Sequence, residues 1–230
     1  MVIGNGMVAK RFESYQSDDR LLIFASGVAN SKNRIHAEYS REVDLLESSI
    51  RANSDKTFVY FSTCSVYDPE EKESPYILHK KQVEDIIRTH CGQFYIFRVS
   101  NLVGKSDNAN TVLNFFVYHI ANKINFDLWS NTSRNLIDID DMYKIVDHIL
   151  RQRLYANQVV NIASTVSYSV REIVKTIEDL WHTQANYVSI PKGQSFSIDL
   201  SLILPIIKKL DIHFPEDYLV KLLEKYYRNK

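Results

Sequence analysis

Ser74-Pro75-Tyr76-Ile77-Leu78-His79-Lys80 places a phenol and an ammonium four residues apart. In a helix that spacing sets both groups on one face, one turn from each other. Ser74 has the side chain of an N-cap and Pro75 suits the first helical position, so Tyr76 falls in the first turn. A neighbouring cation and the positive end of a helix both favour a phenolate, which predicts a Tyr76 pKa below the ordinary tyrosine value. A tyrosine held that way can give or take a proton near neutral pH. The bland alternative is a solvated surface pair, because 14 tyrosines and 28 basic residues bring such spacing about by chance.

Two further stretches carry chemistry. Phe58-Val59-Tyr60-Phe61-Ser62-Thr63-Cys64-Ser65-Val66-Tyr67 is an apolar run that breaks into hydroxyls at its end. In open α/β sheets ligands bind at the carboxyl ends of strands, and hydroxyls there are costly to bury without a partner. Turn capping is the alternative reading. Gly4-x-Gly6-x-x-Ala9 sits between a strand stub and a helix. The first glycine permits a tight turn, the second lets the backbone approach a pyrophosphate, and the small third residue allows close packing. The chain has only six glycines, against a usual share of about 7%, so two at the very start stand out. A purely structural turn is the competing explanation.

The elements that must hold these residues follow from periodicity. Val2-Ile3 is a strand stub, with a helix from Met7 to Tyr15. Leu21–Ala25 and Thr57–Phe61 are short continuous apolar runs, as in strands buried on both faces. Residues 35–53 form an amphipathic helix with Val43, Leu46 and Ile50 on one face, and Pro75–His90 forms another. Phe94–Phe97 is the next strand. Strands alternating with helices predict a parallel α/β sheet. After Asn101 helices are expected at 111–122, 141–153, 170–182, 200–209 and 216–227, with strands at 126–129, 136–139 and 159–162. The predicted division is 1–105 for the sheet domain and 106–230 for a smaller lobe, some segments of which return to the sheet.

Composition excludes several classes of function. Twenty-eight basic and 28 acidic residues cancel, so no basic field invites nucleic acid. Hydrophobic residues at 45% and charged residues at 24% fit a soluble globular chain. No apolar run approaches the roughly 20 residues of a membrane helix. Two cysteines, Cys64 and Cys91, leave no disulfide scaffold, and a reducing cytoplasm is the expectation. The histidines lack paired spacing with carboxylates, so no metal site is expected.

Taken in order, these motifs resemble the extended short-chain dehydrogenase/reductase family, in particular its bacterial nucleotide-sugar epimerases, dehydratases and 4-ketoreductases. Gly4-Asn5-Gly6-Met7-Val8-Ala9 resembles the cofactor loop, and Phe24-Ala25-Ser26-Gly27 the strand that lines the cofactor. Phe61-Ser62-Thr63-Cys64-Ser65-Val66-Tyr67 resembles the family's Ser-Ser-x-x-Val-Tyr-Gly segment, Tyr76-x-x-x-Lys80 its active-site pair, and Phe97–Gly104 its Arg-x-x-Asn-x-x-Gly strand. Arg134–Asp141 and Val160-Asn161-Ile162-Ala163 also fit. Two features depart from the family. Leu21–Ala25 ends in Ser26-Gly27, not in the acid that usually holds the adenosine ribose. Only about a dozen residues separate Ala9 from Phe24, so the two strands and the helix that normally intervene are absent. The resemblance therefore implies a reduced Rossmann-like parallel sheet flanked by helices, with a smaller C-terminal substrate-binding lobe.

By the same resemblance Tyr76 is the general acid/base, Lys80 holds the nicotinamide ribose, and Thr63 bonds the substrate oxygen, with Ser62 and Ser65 as alternatives. Gly4, Asn5, Gly6, Met7, Val8, Ala25, Ser26, Gly27, Ser62, Lys80 and Asn101 would meet the cofactor, NADP or NAD. Thr63, Cys64, Ser65, Asn101 and Arg134 would meet a nucleotide-sugar substrate. Lys10, Arg11, Lys32 and Arg34 could meet a 2′-phosphate, and the turn at 27–32 could take over part of the cofactor site. For Arg134 the alternative is an ion pair with Asp138 or Asp140. Phe115, Phe116 and Trp129 could stack a base, with core packing as the alternative. The implied activity is reduction of a 4-keto-6-deoxy sugar nucleotide in surface polysaccharide biosynthesis. The rivals are an epimerase or dehydratase with bound NAD, and a non-catalytic binding protein that keeps the fold. A homodimer through the helices at 35–53 and 75–90 is implied as well, although Arg41, Glu42, Glu47, Lys81, Glu84 and Arg88 place many charges on the faces read as outer.

Overall fold

The computed structural model describes residues 1–28, 30, 35–106 and 108–228. The chain begins β1 (Val2–Ile3), α1 (Met7–Arg11), β2 (Leu21–Phe24), α2 (His36–Ala52), β3 (Thr57–Thr63), α3 (Pro75–His90), β4 (Phe94–Val99) and β5 (Asn101–Val103). It continues α4 (Val112–Ala121), β6 (Phe126–Trp129), β7 (Ser133–Asp138), α5 (Ile139–Gln152), β8 (Gln158–Ile162), β9 (Ser167–Ser169), α6 (Val170–Trp181), β10 (Tyr187–Ile190), α7 (Leu204–Lys209) and α8 (Tyr218–Tyr227). The first helix is shorter than its pattern suggests, ending at Arg11 before a 3₁₀ turn at Glu13–Tyr15.

β1, β2, β3, β4 and β8 form a parallel sheet in that order. Alternation along the strands sorts their side chains onto two faces. Leu22, Phe24, Phe58, Tyr60 and Ile96 meet Leu46 and Ile50 of α2 and Val83 and Ile87 of α3. Ile23, Val59, Tyr95 and Phe97 meet the opposite layer, which holds Phe12 and Tyr15 and the α5 residues Met142, Ile145 and Ile149. Both faces are covered, which is why these strands read as unbroken apolar runs.

The chain steps from β1 to β2 to β3 in one direction across the sheet. Yet the β1–β2 connection packs on one face and α2 on the other. The two crossovers therefore have opposite hand, although parallel crossovers nearly always share the right-handed sense. The short β1–β2 connection, residues 4–20 with no strand inside it, accounts for this: α1 keeps its face while the strand that follows lies on the other side of β1. Because the chain leaves β1 and β2 toward opposite faces, a crevice opens between their carboxyl ends. Such a switch point is where open α/β sheets bind ligands. β1 is the edge strand among the described residues, and Gln16 covers it, its Oε1 accepting from the Val2 N–H at 3.0 Å.

A second core gathers Leu113 and Phe116 of α4, Leu136 of β7, Ile173 of α6 and Leu222 of α8. There β6 pairs with β10, while β5 and β9 flank β7. Lys225 ties α8 to the start of α5, its Nζ lying 2.8 Å from Asp138 and 2.7 Å from Asp140. Among the described residues no helix is long and apolar enough to cross a membrane.

Candidate active site

A cavity of about 960 Å³ opens where β1–β4 end, between the sheet and the second core. Of the residues singled out in the sequence, it brings together Gly6, Met7, Val8, Ala25, Gly27, Ser62, Thr63, Cys64, Ser65, Tyr76, Lys80, Asn101 and Arg134. Gly4, Asn5 and Ser26 are not among its lining residues.

The two opening glycines serve different needs. Gly4 has φ +129, and a Cβ there would stand 2.4 Å from the Ala25 carbonyl oxygen. Its lack of a side chain is demanded by the packing of β1's exit against β2's. Gly6 has φ −75, and a Cβ there would meet nothing within 4 Å. No protein atom among the described residues explains that glycine, and it lines the cavity.

α3 starts as its sequence dictates: the Ser74 Oγ accepts from the Ile77 N–H at 3.3 Å, and Pro75 takes the first position. Tyr76 and Lys80 are both buried, with the Lys80 Nζ 5.7 Å from the centre of the Tyr76 ring. Thr63 ends β3 beside them, its Oγ1 accepting from the Ser65 N–H at 3.1 Å. The expected fall in the Tyr76 pKa is reversed. Burial pushes the phenol up to about 12, the Thr63 hydrogen bond opposes it, and the Glu42 charge adds to the rise. Tyr76 is thus a phenol at neutral pH.

Lys80 cannot lower the Tyr76 pKa as expected because its charge is matched. Its Nζ donates to the Glu42 Oε1 at 3.2 Å and to the Tyr60 Oη at 2.9 Å. Glu42, read from the sequence as an outward-facing charge, is 0% exposed, and so is Glu84. Burial alone would raise the Glu42 carboxyl, but the Lys80 charge and hydrogen bonds from His79 and the Val28 N–H bring it down to about 2. Burial pulls Lys80 below the ordinary ammonium value, against the charge and hydrogen bond of Glu42.

Several hydroxyl and amide groups expected to meet ligands are spent within the protein. The Ser62 Oγ donates to the Glu84 Oε1 at 2.6 Å, in a network where Arg98 and Arg88 also bind Glu84. The Cys64 Sγ donates to the Arg98 carbonyl at 3.1 Å, and burial pushes its thiol up to about 12. The Asn101 Nδ2 donates to the Asn135 carbonyl at 2.9 Å, joining β5 to β7. Ser100, which the sequence reading passed over, lines the cavity with a buried Oγ that has no hydrogen-bond partner among the described residues.

Arg134 makes neither of the ion pairs considered for it. Asp138 and Asp140 bind Lys225, and Asp140 also binds Arg11 at 2.7 Å. The Arg134 guanidinium instead lies half-buried on the cavity wall, its Nη1 donating to the Ser133 carbonyl at 3.3 Å. Burial lowers its pKa against the pull of Asp68, Glu71 and Glu70. Arg11 is likewise spoken for, by Asp140 and by the Tyr143 ring 3.7 Å from its guanidinium carbon. Lys10 is exposed. Arg34 and, within the 27–32 turn, Ala29, Ser31 and Lys32 lie outside the described residues. Phe115 and Phe116 pack around Phe126 and line the cavity as well, as does Trp129, which has the Lys192 Nζ 4.3 Å from its ring centre.

A parallel α/β sheet with a glycine turn at its switch point and a Tyr–Lys pair beside it defines a Rossmann-type fold with a short-chain dehydrogenase/reductase kind of site. The sequence matches the NAD dependent epimerase/dehydratase family over residues 21–163, and the chain belongs to that family. The match starts at β2, after the glycine turn. Comparison with curated proteins gives no match. Among solved structures, dTDP-glucose 4,6-dehydratase from Bacillus anthracis str. Ames in complex with NAD is 17% identical, with TM-score 0.71 over 97% of this chain and 78% of its own. RMD from Pseudomonas aeruginosa complexed with NADPH is 16% identical, with TM-score 0.68 over 86% and 88%. UDP-glucuronic acid 4-epimerase from Bacillus cereus in complex with NAD is 14% identical, with TM-score 0.70 over 96% and 77%. At these identities the likeness is one of fold.

Proposed function

We propose that this chain is a cytoplasmic NAD(P)-dependent oxidoreductase of nucleotide-linked sugars, reducing a 4-keto-6-deoxy sugar nucleotide in surface polysaccharide biosynthesis. The observation that carries the reading is the grouping of Thr63, Tyr76 and Lys80 on the wall of one cavity that also reaches Gly6. The neighbours' bound NAD and NADPH support the cofactor class. The residues present fit a dinucleotide on two counts: the open space over Gly6, and the unpartnered Ser100 Oγ on the same wall. Gly6, Met7, Val8, Ala25, Gly27, Ser100 and Lys80 would hold it.

Bound there, the cofactor supplies a hydride. The protein's part is proton transfer and orientation. Tyr76, a phenol at neutral pH, gives its proton to the keto oxygen as negative charge gathers on it. Thr63 holds the same oxygen through its hydroxyl. The Lys80 ammonium, 5.7 Å from the centre of the Tyr76 ring and charge-matched by Glu42, orients the ligand beside the phenol. Arg134, with no carboxylate partner within ion-pair distance among the described residues, presents a guanidinium suited to a diphosphate.

Tyr76→Phe should abolish turnover of a 4-keto sugar nucleotide while leaving the melting temperature and dinucleotide affinity unchanged, and undiminished turnover would refute the mechanism. Titration calorimetry with NADH and NADPH tests the cofactor, and no heat with either at millimolar concentration would favour a non-catalytic binding protein. An epimerase, the activity of one structural neighbour, would instead carry NAD through purification.

A further inference from the structure

Glu42 has no part in the reading above, yet it is the most fully enclosed charge near the cavity. It lies in α2 with 0% exposure and draws partners from three other segments. Its Oε1 accepts from the Lys80 Nζ at 3.2 Å and the Tyr60 Oη at 3.0 Å. Its Oε2 accepts from the Val28 N–H at 2.6 Å and meets the His79 Nε2 at 2.8 Å. The Tyr60 Oη in turn accepts from Lys80, which closes a triangle of phenol, ammonium and carboxylate. The backbone fits closely over this triangle: a Cβ on Gly27 would stand 2.8 Å from the Lys80 Nζ and 2.9 Å from the Glu42 Oε1.

Stability alone gives little reason for such a cluster, because well-packed apolar residues hold a core at least as well as a buried ion pair. The arrangement does have a consequence for Lys80. An ammonium has three N–H donors. Glu42 and Tyr60 take two, which leaves one on a residue that lines the cavity.

We propose that Glu42 is a positioning residue of the active site, whose carboxylate, together with the Tyr60 hydroxyl, fixes Lys80 in place as an ammonium with one N–H left for a ligand hydroxyl. The inference rests on the preceding reading of Tyr76 and Lys80. The titratable groups that act on Lys80 are Glu42 from α2, Tyr60 from β3, and Tyr76 and Glu84 from α3. Only Glu42 and Glu84 are anionic among them, and Glu42 is the one in contact. Burial pulls Lys80 toward the neutral amine, and Glu42 is the first force opposing it.

The test follows Lys80 itself in the full-length chain by the ¹³Cε resonance that disappears in Lys80→Arg. In the wild type this resonance should keep its ammonium shift through neutral pH, because the charge and hydrogen bond of Glu42 oppose the pull of burial. In Glu42→Gln its midpoint should fall by at least about one unit, a tenfold rise in the neutral fraction. Glu42→Asp should restore the wild-type behaviour. NADPH affinity gives a second readout: Glu42→Gln should match the wild type at about pH 6 and bind about tenfold more weakly at about pH 9. An unchanged Lys80 midpoint in Glu42→Gln, or a loss of affinity equal at every pH, would overturn the proposal. If Glu42→Gln does not fold, a wild-type Lys80 that is already neutral at neutral pH overturns it. If the wild type binds neither NADH nor NADPH, the cofactor reading fails, while the resonance still decides the role of Glu42.

Discussion

Gly6→Ala separates a glycine kept for a ligand from one kept for the fold. With φ −75 and nothing within 4 Å of the new methyl, the folded protein accepts alanine without strain. Restricting the unfolded chain should then raise stability by about 0.4–1 kcal/mol, or about 1–4 °C in melting temperature for a chain this long. The same methyl enters the space assigned to a pyrophosphate, and forcing a group into a filled site costs about 1–3 kcal/mol. That is about a 5- to 150-fold loss of NADH or NADPH affinity. Gly4→Ala is the control with the opposite signature. Its φ of +129 and its contact of 2.4 Å with a backbone oxygen leave the methyl nowhere to go. Backbone strain of about 1–3 kcal/mol plus the clash should lower the melting temperature by several degrees. Calorimetric titration and thermal unfolding of both variants measure the contrast. A Gly6→Ala protein that binds dinucleotide as tightly as the wild type would remove the glycine turn from the site.

Three further outcomes are expected. The Glu42 carboxyl is held at about 2 against an ordinary 4.5, so the folded state resists its protonation. Its contribution of about 3 kcal/mol is present above the unfolded pKa and is lost as pH falls from about 4.5 to 2, a window in which Lys80 stays charged; urea unfolding across that range would refute this if its slope stayed flat once Glu42→Gln is subtracted. Arg134→Met should raise the KM for a sugar nucleotide at least tenfold with kcat little changed, the mark of a binding group, and a fall confined to kcat would contradict its role at the diphosphate. Leu78 is 48% exposed on α3 and Ile35 is 58% exposed just before α2, so if these helices form a two-fold interface Leu78→Glu should yield a monomer in sedimentation, whereas a wild type that is already monomeric rules the interface out.

The strands and helices of the sheet domain were legible because buried parallel strands and amphipathic helices differ in period, and Pro75–His90 and Phe126–Trp129 match their expected bounds. β5 and β9 escaped because three residues do not establish an alternation. At the site, residue types were readable but their commitments were not. Ser62, Cys64 and Asn101 look available in the sequence, and only tertiary contact shows them bound to Glu84, Arg98 and Asn135. Glu42 did leave a trace. It sits three residues after Tyr39 and four before Leu46, in line with the buried stripe of α2. A charge in line with an apolar stripe was counted as an outer charge because its partner, Lys80, lies 38 positions away. The Tyr76 pKa rises where a fall is expected chiefly because the phenol is buried, which the local spacing does not show.

The crevice between β1 and β2 lies at the rim of the sheet, with no strand beyond β1 among the described residues. On the proposed reading, a long two-headed ligand laid along it would be gripped at one end by Lys80, Tyr76 and their buried supports, while its other head would pass over the border of the domain. Recognition is then lopsided. Analogues altered at the adenine end, by a tether or a fluorophore, should be tolerated far better than analogues altered at the reactive ring, which makes this fold a suitable capture module for dinucleotides immobilised through their purine.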